Sequence, residues 1–193
     1  MAKLYFRYGA MNSGKSTALM QVAHNYKERG MESVLLKPYI DTKGGDTVVS
    51  RLGISKDVDI KVKNEDNILA LLDNYIADKG DVHCILVDEV QFLKKNHIDQ
   101  LLELAVVKQI PVICYGLRTD FQMNGFEGSE RLLLIAHSVE ELKTICSCGR
   151  KALVNARKIN GKFVFEGSQV AIDGEHDVEY EAVCPECYFK FRG

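Results

Sequence analysis

Eight residues near the start of the chain, Gly9, Ala10, Met11, Asn12, Ser13, Gly14, Lys15 and Ser16, follow the pattern G-x-x-x-x-G-K-[ST]. That spacing is suited to holding phosphate. Glycines let backbone N–H groups close around an anion, and a helix beginning at the lysine adds its positive end. Lys15 would reach the β- and γ-phosphates of a nucleotide, and the Ser16 hydroxyl would hold Mg²⁺. The same octapeptide can occur by chance in a turn. Its flanks argue for the functional reading: the apolar run Leu4-Tyr5-Phe6-Arg7-Tyr8 precedes it as a strand, and Leu19, Val22, Ala23 and Tyr26 follow on one helical face.

A second group of acids fits the same chemistry. Cys84-Ile85-Leu86-Val87-Asp88-Glu89 is an apolar strand ending in two carboxylates. Many strands end in acids, so alone it says little. Together with the phosphate loop, Asp88 stands where a magnesium-holding carboxylate is expected. Alternation along an extended chain would send Glu89 to a different side. There it could take a proton from an attacking hydroxyl or water.

Four of the six cysteines come as close pairs, Cys146-Ser147-Cys148 and Cys184-Pro185-Glu186-Cys187. In a reducing compartment such pairs argue for metal before disulfide. Two facing turns can supply four thiolates to a tetrahedral zinc, and Gly149 permits the tight first turn. A closed shell of four leaves no position for substrate, which makes the zinc structural. A redox pair at Cys184 and Cys187, or no metal at all, remains open on spacing alone. His176 is a conceivable ligand but reads better as a loop histidine. Cys84 and Cys114 sit in apolar runs and read as small buried hydrophobes.

These groups need a scaffold. Over the first ~120 residues strand and helix signals alternate, which predicts an α/β fold with a parallel sheet covered by helices on both faces. Strands are expected at 32–37, 82–87 and 112–115. Helices are expected at 66–78, from Ile98 through Val106, and in a short segment over 132–135 entered near Ser129. Residues 41–57 are polar and glycine-bearing without sustained period, and read either as a mobile loop near the phosphate end or as a plain surface connection. From about residue 143 short strands replace long helices. Asn160-Gly161, between two alternating runs, predicts a type I′ hairpin. The expected division is therefore 1–142, a nucleotide-binding domain of P-loop type, and 143–193, a zinc-ribbon-like domain.

Composition narrows the class. The chain has 193 residues, 46% hydrophobic and 27% charged, with net charge −2. It can bury a core without disulfides. No basic field recruits a nucleic acid polymer or an anionic membrane. No stretch is long and apolar enough to span a bilayer, and a cleaved leader would remove the first strand, so a cytoplasmic location is expected.

The blocks GAMNSGKST, LVDEVQF and CYGLRTDF, with the two cysteine pairs, resemble in order and spacing the cytosolic, zinc-containing thymidine kinases, bacterial members above all. The resemblance runs from Leu4 to Cys187. It implies transfer of the γ-phosphate of ATP, with Mg²⁺, to the 5′-hydroxyl of thymidine by a homotetramer. It implies further that residues 9–16, Asp88 and Gln91 serve ATP, with Ser16 and Asp88 at magnesium, and that Glu89 is the catalytic base. Leu117, Thr119 and Phe121 would wall the nucleoside. A lasso over 165–180 would bind the base, with Gln169, Ala171, Asp173 and Tyr180 as contacts. Cys146, Cys148, Cys184 and Cys187 would hold zinc. Main-chain recognition suits thymine, whose edge presents acceptor, donor, acceptor.

The chain departs from the family in places. It has Ile172-Asp173-Gly174 where a paired glycine often follows the isoleucine, a slightly longer stretch before Tyr180, and Lys43 where an arginine is common. Arg51 is then the candidate for an extra cation at the phosphates. A P-loop ATPase motor, a nucleotide-binding regulator and a zinc-ribbon interaction module are the competing classes. The lack of a basic patch disfavours the motor, and the module leaves the phosphate loop unexplained.

Overall fold

The computed structural model describes residues 1–40, 47–49, 53, 55–169 and 177–193. Six strands form the main sheet: β1 (Leu4–Tyr8), β2 (Ser33–Pro38), β5 (Ile60–Val62), β6 (Cys84–Val87), β7 (Val112–Gly116) and β8 (Ser138–Glu141), in the order β5-β2-β6-β7-β1-β8. All five pairings are parallel. Parallel strands need crossovers that cover both faces, which explains the near-continuous apolar runs.

Alternation sorts the core into two layers. Val34, Leu36, Ile85, Val87, Val112 and Cys114 face α2 (Ile68–Lys79), α3 (Lys95–Val106) and α4 (Glu127–Ile135). Leu35, Leu86, Ile113 and Tyr115 point the other way, onto Leu19, Met20 and Ala23 of α1 (Lys15–Glu28). Asn67 caps α2 by accepting the Ala70 N–H at 3.1 Å, so the helix begins two residues after the expected start.

The expected elements are present, together with others not anticipated from the sequence, α5 (Pro185–Arg192) among them. Within 41–57, β3 (Thr47–Val49) and β4 (Ser55–Asp57) pair antiparallel, so part of the expected loop is a small hairpin. Strands β5 and β8 are short sheet edges; β8 is mostly exposed and lacks the apolar run that marks the central strands. Helix α4 also starts earlier than its apolar residues suggested, because Glu127 and Glu130 occupy its first turn, where acids suit the positive helix end.

The C-terminal part forms a second sheet, β10-β9-β11, from β9 (Val154–Ile159), β10 (Lys162–Val164) and β11 (Val178–Val183), followed by α5 (Pro185–Arg192). Asn160 and Gly161 have φ of 50° and 75°, the positive pair a type I′ turn requires. The small core of Val154, Ala156, Val183 and Tyr188 also includes Ala10 of the phosphate loop. This sheet therefore packs directly on the loop.

Candidate active site

Strands β1, β6 and β7 are neighbours and parallel, so the segments leaving their C-terminal ends lie along one sheet edge. Those segments carry the phosphate loop, Asp88 with Glu89, and the run from Leu117. Strand order is what brings them together.

The loop after β1 is held at both ends. Gly9 N–H donates to Gly116 O at 3.3 Å, and Ala18 N–H donates to Gly14 O at 2.9 Å. Asn12 and Gly14 have positive φ, 66° and 81°. No side chain caps α1, so the N–H groups of its first turn are not taken up by a cap. Lys15 Nζ donates to Ala10 O at 2.9 Å and Gly9 O at 3.2 Å. Burial pushes the Lys15 ammonium below its usual range, against the pull of Glu89 and Asp88. That opposition places both carboxylates within electrostatic reach of the loop lysine.

A cleft of about 360 Å³ is lined by Asn12, Gly14, Lys15, Ser16 and Glu89, among others. Asp88, the neighbour of Glu89 in the chain, is buried, only 5% exposed. Burial pushes the Asp88 carboxyl up to about 6, with the nearby Glu89 charge adding to the rise. Only the ionised carboxylate is a good oxygen donor for a hard cation, so a cation bound here would have to displace the proton that burial favours.

Glu89 occupies the left-handed region, φ 51° and ψ 36°. The alternation expected of an extended chain therefore does not apply here: β6 ends at Val87, and a left-handed residue turns the chain into a 3₁₀ turn at Val90–Phe92. Non-glycine residues in this region carry strain, and such strain concentrates at functional sites.

Gln91 is 2% exposed. Its amide nitrogen donates to Glu89 Oε2 at 2.5 Å, and its carbonyl oxygen accepts the Leu117 N–H at 3.0 Å. A Cβ on Gly116 would lie 2.5 Å from that oxygen, so only glycine leaves room for it. The bonds of Gln91 brace the acid to the β7 exit.

A second cleft, of about 280 Å³, adjoins the first through shared Met11 and Leu117. Its walls include Leu117, Thr119, Phe121, Gln169 and Tyr180, five of the residues expected around a nucleoside. Ala171, Asp173, Lys43, Arg51 and His176 lie outside the described residues.

Sequence reasoning missed other parts of this wall. Phe92 and Phe126 meet edge to face, with ring centres 5.4 Å apart, and both line the cleft. Asn155 on β9 lines it too and accepts the Met11 N–H at 2.6 Å, tying the small sheet to the phosphate loop. Two residues further on, Arg157 backs the pocket. Both are polar side chains at a spacing of two in a strand with apolar Val154 and Ala156. That pattern was a usable signal for a buried polar face.

The Sγ atoms of Cys146, Cys148, Cys184 and Cys187 lie within 4.8 Å of one another, with Cys148 and Cys184 at 3.6 Å. Sulfurs bound tetrahedrally to one zinc stand about 3.8 Å apart, so the donor set fits. Backbone N–H groups favour the thiolate at two of the four: that of Cys148 pulls the Cys146 thiol down, and that of Cys187 does the same for Cys184, while hydrogen bonds with Cys184 and Cys148 push the Cys187 thiol up. Gly149, at φ 84°, makes the tight C-x-C turn, and an Arg150–Glu186 ion pair joins the two knuckles.

Fold and site together define a P-loop nucleotide-binding α/β protein with a second cleft beside its phosphate cradle and a cysteine-clasped annex closing one side. The chain belongs to the thymidine kinase family, whose model matches residues 2–188. It is 48% identical to a thymidine kinase of Rhodopirellula baltica over 186 residues, 95% of this chain and 86% of that protein. It is 47% identical to a thymidine kinase of Haemophilus influenzae (strain Rd), with 95% and 94% covered, and to one of Legionella pneumophila (strain Paris), with 95% and 88% covered. Among the described residues no helix is long and apolar enough to cross a membrane.

Proposed function

We propose that this chain transfers the γ-phosphoryl group of ATP to the 5′-hydroxyl of thymidine, giving dTMP and ADP. Family membership supports the reaction. The observation that carries the site assignment is the junction of two clefts at Met11 and Leu117, with Lys15, Ser16 and Glu89 on one side and Thr119, Phe121 and Tyr180 on the other.

In this reading the loop amides and Lys15 hold the phosphates. Ser16 Oγ and the Asp88 carboxylate would hold Mg²⁺, whose contribution there would be to offset phosphate charge. Thymidine lies in the second cleft, its 5′-oxygen directed at the γ-phosphorus. Glu89, fixed by Gln91, orients the hydroxyl and accepts its proton as the O5′–P bond forms and the bond to the ADP oxygen breaks. Catalysis is then mainly positioning and electrostatic stabilisation.

Cys146, Cys148, Cys184 and Cys187 hold a structural zinc, which ties the turn before β9 to the start of α5. The division at residue 143, a homotetrameric assembly and a cytoplasmic location complete the proposal. Gln169, Ala171, Asp173 and Tyr180 contact the base, and Arg51 is a further cation near the phosphates.

The test is a nucleoside panel with γ-labelled ATP. Label on thymidine is expected. Label released only as inorganic phosphate would instead assign the chain to the ATPases.

A further inference from the structure

Arg157 is the largest polar side chain buried in the small sheet, 3% exposed, and the mechanism above does not use it. It stands on β9, the strand that also carries Asn155, on the same face two residues away. Its guanidinium carbon lies 3.7 Å from the ring centre of Phe121 and 5.3 Å from that of Tyr180. Its Nε donates to Tyr180 Oη at 2.9 Å. Its Nη1 donates to Ser168 O at 2.8 Å, and its Nη2 to Gln169 O at 2.9 Å. Gln169 then reaches across to Asp120 Oδ2 at 3.3 Å and Gly125 O at 3.2 Å.

One planar cation thus joins three separate pieces of chain. Phe121 follows β7, Ser168 and Gln169 follow β10, and Tyr180 lies on β11. Phe121, Gln169 and Tyr180 all line the second cleft. Nothing local in the sequence holds these three together. A buried guanidinium satisfied by two carbonyls, a phenol and an aromatic face is rigid, because its fork geometry allows few alternatives.

We infer that Arg157 is the positioning residue of the nucleoside site: it pre-assembles the Phe121, Gln169 and Tyr180 walls so that thymidine binds an already formed pocket. It does not touch the reacting atoms. Its removal should therefore weaken nucleoside binding, because substrate must then order the walls itself. The phosphate loop, on the other side of Met11, should be little affected. This inference rests on reading the second cleft as the nucleoside site.

The test compares the full chain with Arg157→Met, Arg157→Lys and Lys158→Ala, by calorimetric titration with thymidine and by steady-state kinetics. Lys158 points to the other face of β9, where it pairs with Glu181 at 2.6 Å, and serves as the control for damage to the strand. Arg157→Met should raise thymidine Kd and KM about 10–100-fold, while kcat at saturating thymidine and the ATP KM stay within about 3-fold. Arg157→Lys, a charge without the fork, should fall between, and Lys158→Ala should stay near the parent. If Arg157→Met fails to fold, Arg157→Lys alone decides, by the same split between KM and kcat.

A thymidine Kd within about 2-fold of the parent in both Arg157 variants overturns the inference, as does a parallel fall of kcat, ATP affinity and zinc content. A parent chain that binds thymidine but transfers no phosphate would sink the kinase reading. The Kd comparison would still decide the role of Arg157.

Discussion

Gln91 donates its side-chain N–H to Glu89 Oε2 at 2.5 Å and accepts the Leu117 N–H on its carbonyl oxygen at 3.0 Å. One amide therefore sets the distance between the proposed base and the first residue of the nucleoside wall. The link is buried, and Gly116 leaves just enough space for it. The acid proposed to meet the 5′-hydroxyl and the surface proposed to hold the sugar are thus positioned by the same side chain.

Glu89→Gln keeps the shape and removes the proton acceptor. The turnover number should fall about 10²–10⁴-fold, with ATP affinity little changed. Rapid-quench measurement of the transfer step, alongside equilibrium nucleotide binding, reads both. Unimpaired transfer would remove Glu89 from the role of base.

The backbone of Glu89 should be separable from its carboxylate. Alanine retains the left-handed strain, whereas glycine relieves it, so Glu89→Gly should be more stable than Glu89→Ala by about 1 kcal/mol. Both should be inactive. Urea unfolding of the two variants makes the comparison, and an alanine variant as stable as the glycine one would argue against strain at this position.

Asp88 should make the metal-free chain less stable as pH rises. Its carboxyl is pushed up to about 6 from an ordinary 3.8, first by burial and then by Glu89. The folded state thus holds this proton more tightly than the unfolded chain does. Stability linked to the neutral acid is complete below 3.8 and is lost as pH climbs through about 6. Asp88→Asn cannot ionise, so at pH 7 without divalent cation it should be more stable than the parent. That advantage should shrink as pH is lowered through the same window. Thermal unfolding at a series of pH values in chelator tests this, and a pH-independent difference would contradict it.

Cys187→Ser removes one corner of the cysteine cluster. Bound zinc should drop from about one per chain to well below it, and thymidine KM should rise before ATP binding suffers. Phe165 and Tyr188 meet edge to face 5.2 Å apart in the small core that includes Cys146 and Cys184, and Tyr188 Oη donates to the carbonyl of Phe121, a wall of the second cleft, at 2.9 Å, which supplies the physical connection. Elemental analysis and substrate kinetics on the same sample give the answer. A zinc-replete serine variant with normal kinetics would remove Cys187 from the ligand set.

Some of this was legible in the residues alone. The phosphate loop, the cysteine pairs and the Asn160-Gly161 turn are local patterns, in which a few adjacent residues determine backbone shape. The central strands were legible because burial on both faces demands apolar runs such as Cys84–Val87. Edge strands β5 and β8 were not, since an edge needs fewer apolar residues and its pairing depends on a partner elsewhere. Alternation does not reach Glu89, because the chain has left the strand at Val87 and turns there through a left-handed residue.

The sequence by itself determined which groups could do chemistry, because motif spacing is read over a few bonds and each short pattern has one favourable geometry. The tertiary structure alone decided that these groups meet. The order β6-β7-β1 sets three strand exits side by side, Gln91 spans two of them, and Arg157 gathers three distant segments around one cation. Those relationships depend on pairing and packing between parts of the chain far apart in sequence. The free energy of such contacts belongs to both partners at once, so neither partner's own residues reveal it.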